Sequence, residues 1–315
     1  MSERIVIITG ANSGIGKAAA LKFAMEGYRV IMACRNLEIS RVAQEEIIEK
    51  SKNNKVELIQ LDISSFSSIQ EFCLNYKSNY QKLDILIHNA AYLNHGEKNY
   101  QLSPENIELT FATNTIGPFL MTNLLLDLLK KSDDPRVLHA CTTNIKHFFD
   151  EKRQIDFDNL QGEFKDSRKY SVYKMYGDSK MALLLLTFKL ADELKDSGIK
   201  INAIQINGVK MSKETVQKLR SFWKYIARVQ NLFFPEPLEM ANNYFAICTS
   251  DEFKDVTGKL LNQKREIVKP TNDEKVKFVT QAKYILGSSY YPKYANRTEN
   301  IEKVWKLCTD LTGKL

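Results

Sequence analysis

Short apolar runs alternate along this chain with longer stretches in which apolar residues recur every three or four positions. The runs near Arg4–Thr9, Arg29–Ala33, Lys55–Gln60, Leu83–His88, Arg136–Cys141 and Lys200–Ile206 predict strands, being short and rich in Ile, Val and Leu. The stretches between them, near Gly14–Glu26, Leu37–Lys52, Ser65–Asn79, Ile107–Lys131 and Tyr173–Lys195, predict helices. Near-continuous apolar strands separated by helices imply a parallel sheet covered on both faces. Right-handed crossovers then give a doubly wound α/β fold whose ligands bind at the carboxyl ends of the strands. No repeat, linker or low-complexity segment interrupts the pattern, so residues 1–315 are expected to form one domain with a core over 1–208.

After Ile206 the pattern changes. Residues 209–237 mix basic and aromatic positions, from Phe222-Trp223-Lys224-Tyr225-Ile226 to Leu232-Phe233-Phe234, and close on Pro235-Glu236-Pro237. Two readings stand side by side: a helical lid over an apolar substrate, or an amphipathic helix pair that completes the core. A helix near Leu238–Thr249 and a strand at Leu260-Leu261 are expected to end the sheet. Residues 270–315 read as a polar, helical tail covering the substrate side or an interface.

Bulk properties narrow the function classes. A hydrophobic content of 43% and a charged content of 26% are those of an ordinary soluble globule. The longest apolar stretch, Met181 to Phe188, is too short to span a bilayer, and no signal peptide precedes the first strand. A cytoplasmic chain with no stable membrane insertion is therefore expected. The scattered Cys34, Cys73, Cys141, Cys248 and Cys308 form no C-x-x-C and suit reduced thiols. His88, His95, His139 and His147 show no metal-ligand spacing, so no metal is expected. The net charge of +7 is spread among acids, which argues against nucleic acid as a partner and leaves a lysine-rich surface mildly favourable to anionic ligands.

The first strand runs into Thr9-Gly10-Ala11-Asn12-Ser13-Gly14-Ile15-Gly16 and then at once into an Ala-rich helix. Strand, glycine turn and helix in this order form the context in which a Rossmann fold binds dinucleotide phosphates. Gly10 permits the tight turn, and Gly14 and Gly16 let backbone approach a pyrophosphate at a helix end that offers unpaired N–H groups. Thr9, Asn12, Ser13 and Ile15 complete the cradle. The second strand ends in Ala33-Cys34-Arg35, where an arginine, helped by Lys17 and Asn36, suits the 2′-phosphate of NADP. Asp62, with the Ile63 backbone, either accepts from the adenine amino group or serves as a turn acid before Ser64-Ser65, and the two roles are compatible. Asn89-Ala90-Ala91, after the fourth strand, are small enough for close backbone contact with the cofactor.

Acid–base chemistry is sought in Y-x-x-x-K, since positions i and i+4 share a helix face. The chain holds Tyr170–Lys174 and Tyr176–Lys180, and context favours the second, which leads directly into the apolar helix that must pack on the sheet. A free tyrosine pKa of ~10 makes a poor base, which a nearby ammonium and a cationic nicotinamide would lower. Thr142 at the end of the fifth strand, or Thr143 with the register slipped by one, offers a hydroxyl for the substrate oxygen. Asn114 sits in a predicted helix, where its propensity is poor and a structural or catalytic polar duty is expected.

With these residues together the chain resembles the classical short-chain dehydrogenase/reductases, in the branch of retinol dehydrogenases and NADP-preferring carbonyl reductases. Thr9–Gly16 matches TGxxxGxG, Asn89-Ala90-Ala91 the NAG motif, Asn114 the catalytic asparagine, and Tyr176 with Lys180 the YxxSK unit. Ile155-Asp156-Phe157-Asp158-Asn159-Leu160 is similar to a segment of the retinol-dehydrogenase branch. The resemblance implies transfer of the pro-S hydride of NADPH to an apolar ketone or aldehyde, or the reverse oxidation of an alcohol. Tyr176 would donate the proton, Thr142 polarise the oxygen, Lys180 hold the nicotinamide ribose and depress the tyrosine pKa, and Asn114 link a water-borne relay. A homodimer or homotetramer is common in such families.

Departures from the family pattern are visible. Thr142 replaces the usual serine, His139 stands where asparagine is common, and Ala91 replaces the glycine of NAG. Ile206-Asn207-Gly208-Val209 replaces a proline–glycine pair, so either Asn207 takes the glycine's left-handed place or the loop shifts by one before the cofactor contacts expected at Val209 and Lys210. These changes keep a second reading open, a catalytically silent NADPH-binding sensor or scaffold on the same fold. An extended-family epimerase is disfavoured, because Ser13 stands where its middle glycine would fall.

Overall fold

Ile5 to Thr9 are buried without exception, as a five-residue run with no charged position must be to form a central strand. In the computed structural model, which describes residues 3–146, 154–211, 216–217, 221–232, 234–272, 284 and 287–313, this run is β1 (Ile5–Thr9). It joins β2 (Arg29–Cys34), β3 (Val56–Gln60), β4 (Ile85–His88), β5 (Arg136–Thr142), β6 (Lys200–Ile206) and β7 (Leu260–Leu261). The sheet is parallel throughout, in the order β3-β2-β1-β4-β5-β6-β7. Winding reverses between β1 and β4, which opens a crevice at their carboxyl ends.

Alternate strand residues feed two apolar layers. Val6 and Ile8 pack towards α1 (Gly14–Met25), α2 (Leu37–Ser51) and a later helix over Pro237–Thr249, with Phe23, Ile47 and Tyr244. Ile7, Leu86 and Val137 face the other way, towards α3 (Phe66–Asn79) and the helices that follow it, with Phe72, Phe111 and Leu184. Each such side chain contributes roughly 1.5–3 kcal/mol when withdrawn from water. Asn36 Oδ1 caps α2 by accepting from Ile39 N at 3.0 Å, and Ser65 caps α3 by accepting from Ser68 N at 3.4 Å.

The helix expected over Ile107–Lys131 is not continuous. It divides into α4 (Leu109–Phe111), a π-helical turn (Ala112–Ile116), α5 (Gly117–Leu124) and α6 (Leu126–Leu129). Pro118 has no N–H to give the Asn114 carbonyl, the i−4 acceptor of an α-helix, and the chain widens there. Gly117 is required on this segment, since a Cβ there would lie 1.9 Å from the Ile63 carbonyl oxygen.

Beyond these lie α7 (Val172–Glu193), α8 (Ser221–Gln230), α9 (Pro237–Thr249) and α10 (Thr298–Thr312). The tail, expected to be helical, also holds a small parallel pair, β8 (Lys269–Pro270) with β9 (Tyr290–Tyr291), before α10 packs on α7. Lys269 reaches Ser289 and Thr271 reaches Tyr291 through backbone N–H groups, an extended pairing that the charged pattern did not announce. Parts of the expected lid and tail, 212–215, 218–220, 233 and 273–283, lie outside the described residues, as does His147.

Candidate active site

The glycine turn is held from beneath. Gly10 and Gly14 adopt φ of 65° and 51°, and Gly10 N donates to Ala33 O at 2.8 Å. A Cβ on Gly16 would lie 2.3 Å from Gly10 O and 2.5 Å from Asn89 Nδ2, so only glycine lets α1 begin this close to β4. Buried Thr9 accepts from Asn89 N at 3.0 Å and Ala90 N at 2.9 Å, which locks the ends of β1 and β4 together. Asn89 in turn donates to Thr9 O at 3.0 Å and accepts from Tyr244 Oη at 3.2 Å. Thr9 and Asn89 are thus committed to shaping the turn, and Tyr244, which the sequence reading missed, supports it from α9.

The outer side of the turn is open. Ser13 precedes α1 without a side-chain cap, no acid stands in the first turn, and a Cβ on Gly14 would meet nothing within 4 Å. Asn12 and Ile15 are half-buried, while Ser13 and Gly14 are exposed. Uncapped N–H groups at a helix start, with no acid nearby, fit a phosphate. A cleft of about 700 Å³ runs from Gly14 and Lys17 to Met211 and Leu238.

At the tip of β2, Arg35 is exposed and makes no hydrogen bond or ion pair among the described residues. Its expected helpers are otherwise engaged, with Lys17 Nζ 2.8 Å from Glu46 Oε2 and Asn36 capping α2. Asp62 Oδ1 accepts from Ser64 N at 3.0 Å and Ser64 Oγ at 2.6 Å, which is the turn-acid alternative. Ile63 is buried beside it, while Ala90 and the exposed Ala91 continue from β4 into the crevice.

At the other end α7 brings its residues against β5. The Thr142 hydroxyl stands close enough to the Tyr176 phenol to favour its ionised form and accepts from Asn144 N at 3.2 Å, whereas Thr143 belongs to a 3-10 turn (Thr143–Lys146). One helical turn on, buried Lys180 donates from Nζ to Ala140 O at 2.7 Å. Asn114 is fully buried in the π turn, accepting from Tyr92 N at 2.8 Å and donating to Ser179 Oγ at 3.1 Å. Four candidates distant in sequence therefore share one end of the crevice. The other Y-x-x-x-K copy is occupied elsewhere, since Tyr170 Oη donates to Glu108 at 2.8 Å and Lys174 Nζ to Asp156 at 2.8 Å.

Electrostatics in the protein alone run opposite to one expectation. Burial, followed by the Cys141 thiol, pushes the Tyr176 phenol up to about 12, and only the nearby Thr142 hydroxyl opposes it. Burial likewise brings the Lys180 ammonium down to about 8. Lys180 Nζ is meanwhile bonded to the Ala140 carbonyl of β5.

Two further groups escaped the sequence reading as a unit. His88 and His139 face each other across β4 and β5 with ring centroids 5.2 Å apart. His88 Nε2 meets Thr122 Oγ1 at 2.8 Å and His139 Nδ1 meets Thr187 Oγ1 at 2.9 Å. Thr187 gives its own proton to Leu183 O at 2.8 Å, so His139 Nδ1 is the donor. Burial first and the Lys180 charge second hold His139 down to about 3, and burial also lowers His88. Above the site, His95 Nδ1 lies 3.0 Å from Tyr173 Oη, and both rings adjoin Trp223 of α8.

The loop after β6 decides between the two registers left open. Gly208 takes φ of 149° and Asn207 is not among the residues of positive φ, so the glycine itself makes the turn. A Cβ on Gly208 would press 2.8 Å from the Phe234 ring. Val209 follows half-buried, and Lys210 pairs with Glu236 at 2.6 Å.

Comparison with known proteins agrees with this architecture. Residues 4–147 match the family model described as short chain dehydrogenase. Human "Retinol dehydrogenase 13" is 33% identical over 269 residues, covering 81% of this chain and 75% of that protein. "Short-chain dehydrogenase TIC 32 A, chloroplastic" of Brassica napus is 35% identical over 260 residues, covering 80% and 78%. A short-chain dehydrogenase from Shigella flexneri complexed with NADP superposes with a TM-score of 0.63 at 22% identity, covering 84% of this chain and 98% of that one. A protein from Mycobacterium paratuberculosis covers 99% of this chain and 94% of its own at a TM-score of 0.67 and 23% identity. The chain belongs to the short-chain dehydrogenase family of oxidoreductases. Among the described residues no helix is long and apolar enough to cross a membrane.

Proposed function

We propose that the chain is an NADP(H)-dependent oxidoreductase that reduces an apolar ketone or aldehyde, or runs the reverse oxidation, with Tyr176 as the proton donor. The observation that carries this reading is the bond of Lys180 Nζ to Ala140 O at 2.7 Å, which sets Tyr176, one turn earlier on the same helix, at the end of β5 beside Thr142. When bound, the cofactor supplies the hydride. The uncapped start of α1, with Gly10, Asn12, Ser13, Gly14, Ile15 and Gly16, would hold its pyrophosphate, and Arg35 its 2′-phosphate. Asp62 and Ile63 would flank the adenine, and Asn89, Ala90, Ala91 and Val209 would line the path to the nicotinamide. One of the three Lys180 donors bonds Ala140, which leaves two for the ribose.

A phenol held near 12 is fully protonated at neutral pH, the form needed to give a proton to a carbonyl oxygen. Thr142, at the end of β5 beside the phenol, would hold the same oxygen. Asn114, buried and anchored on both sides, would orient the chain at Tyr92 and Ser179 around the proton path. The relatives named as retinol dehydrogenases support an apolar substrate, as does the aromatic group of His95, Tyr173 and Trp223 beside Tyr176.

The test is loss of NADPH absorbance against carbonyl compounds graded by size and apolarity, using the wild type and Tyr176→Phe. Turnover is expected to fall by about 10²–10⁴-fold in the variant while NADPH binding is kept. Retained activity in Tyr176→Phe would overturn the assignment. NADPH binding without turnover across the whole panel would favour the sensor reading.

A further inference from the structure

We propose that Lys146 recognises an anionic oxygen group on the substrate, so that the carbonyl compounds this chain acts on are apolar acids bearing a carboxylate. The inference rests on the oxidoreductase reading for the position of the reacting carbonyl, and it adds what holds the far end of the molecule.

Lys146 closes the 3-10 turn that follows Thr142 directly. At a rise of ~2 Å per residue the turn carries the chain roughly 8 Å beyond the Thr142 position, about the length of a short acyl chain. Lys146 and Lys180 are the two lysines buried among the described residues. Lys180 has a place beside Tyr176. The Lys146 ammonium donates to a neutral acceptor, the Gly287 carbonyl, and makes no ion pair among the described residues. A buried cation facing only a carbonyl lacks compensating charge, and such a group gains most from an anion. Burial brings it down to about 8, so at neutral pH it still carries its charge.

A second polar group lies under the same strap of chain. Ser288 O, next to Gly287, lies 3.5 Å from Gln205 Nε2. Gln205 stands opposite Cys141 in the β5–β6 ladder, and its Nε2 also donates to Asn207 Oδ1 at 3.4 Å. Lys146 and Gln205 therefore present polar groups to residues 287–288, where the strap crosses the carboxyl ends of β5 and β6. A carboxylate taking the place of the Gly287 carbonyl would replace a neutral acceptor with a charged one in the same position. The Gln205 Nε2 N–H that now reaches Ser288 O at 3.5 Å would be the neighbouring donor to a carboxylate standing in place of these carbonyls. The chain's net charge of +7 favours the approach of such a ligand.

Calorimetry on the full chain with decanoate and methyl decanoate tests this without turnover. Decanoate is expected to bind the wild type about tenfold or more tightly than its ester, the scale of one charge-assisted hydrogen bond. Lys146→Met should abolish that preference and Lys146→Arg should keep it, with thermal unfolding showing that both variants fold. A wild type that binds acid and ester alike, or a preference that survives Lys146→Met, would overturn the proposal. A parallel NADPH assay on an oxo acid and its methyl ester separates the two readings. Turnover of the ester with no preference for the acid defeats the Lys146 assignment alone, whereas a binding preference with no turnover of either defeats the oxidoreductase reading alone.

Discussion

Lys180 directs its ammonium at the Ala140 carbonyl, 2.7 Å away, and this bond ties α7 to β5 two residues before Thr142. Because i and i+4 share a helix face, the same contact turns Tyr176 towards the end of β5. Thr142 ends that strand, and its hydroxyl is near enough to lower the phenol's pKa against the effect of burial. A donor pair fixed by a strand and a helix is better placed for a substrate oxygen than one carried on a loop.

Thr142 is the first residue to vary. Thr142→Ser keeps the hydroxyl and removes a methyl, and kcat for a reducible carbonyl is expected to stay within about threefold. Thr142→Ala removes the donor and should lower kcat by ~10²-fold, the usual cost of losing one oxyanion donor. Steady-state kinetics on the same substrate measure both.

Arg35 is exposed at the tip of β2 and engaged by no acid among the described residues, which leaves its guanidinium available to a phosphate. Arg35→Asp is expected to weaken NADPH by about 10–100-fold and to reverse the preference over NADH. Titrations of both cofactors give the ratio of dissociation constants, and an unchanged ratio would exclude Arg35 as the 2′-phosphate ligand.

Gly16 and Gly14 respond to alanine for different reasons. Gly16→Ala pushes a methyl to within 2.3 Å of Gly10 O and should cost about 1–3 kcal/mol of stability. Gly14→Ala meets no neighbour and suffers only the backbone penalty at φ 51°, ~1 kcal/mol. Denaturant midpoints should therefore fall further for Gly16→Ala.

His139 makes the fold acid-sensitive. Its folded pKa of about 3 lies below the free value near 6.5, so between these pH values the unfolded chain binds the extra proton. Stability from this group is complete above ~6.5 and is lost as pH falls towards 3, by at most ~1.4 kcal/mol per pH unit. His88, lowered in the same way, adds to the slope. Urea midpoints between pH 7 and pH 4.5 should fall less steeply for His139→Asn than for wild type.

Much of the scaffold was legible locally. β6 and β7 have the expected bounds, and the ends of β1 to β5 differ from expectation by a residue or two, because apolar runs in a parallel sheet need no partner to be recognised. The glycine turn was legible too, since positive φ at Gly10 and Gly14 is a local demand. The break at Asn114 was hidden, although Pro118 four residues on contained the reason. β8 and β9 were hidden because each has only two residues, and they pair across a gap of about twenty.

The sequence by itself determined the order of strands and helices, the phosphate turn and the residue types available for proton transfer, because these follow from burial period and backbone conformation over a few residues. It favoured Tyr176 over Tyr170 from context and Thr142 over Thr143 if the register held, and it left Asn207 and Gly208 open. Tertiary structure separates those pairs. Tyr170 is bonded to Glu108, Thr142 ends β5 while Thr143 starts a 3-10 turn, and of Asn207 and Gly208 only the glycine takes the positive φ, against Phe234. The pairing of His88 with His139, and the burial that lowers Lys180 and Lys146, likewise arise only between distant segments. Desolvation and hydrogen-bond partners depend on which chains meet, and no window along one chain contains them.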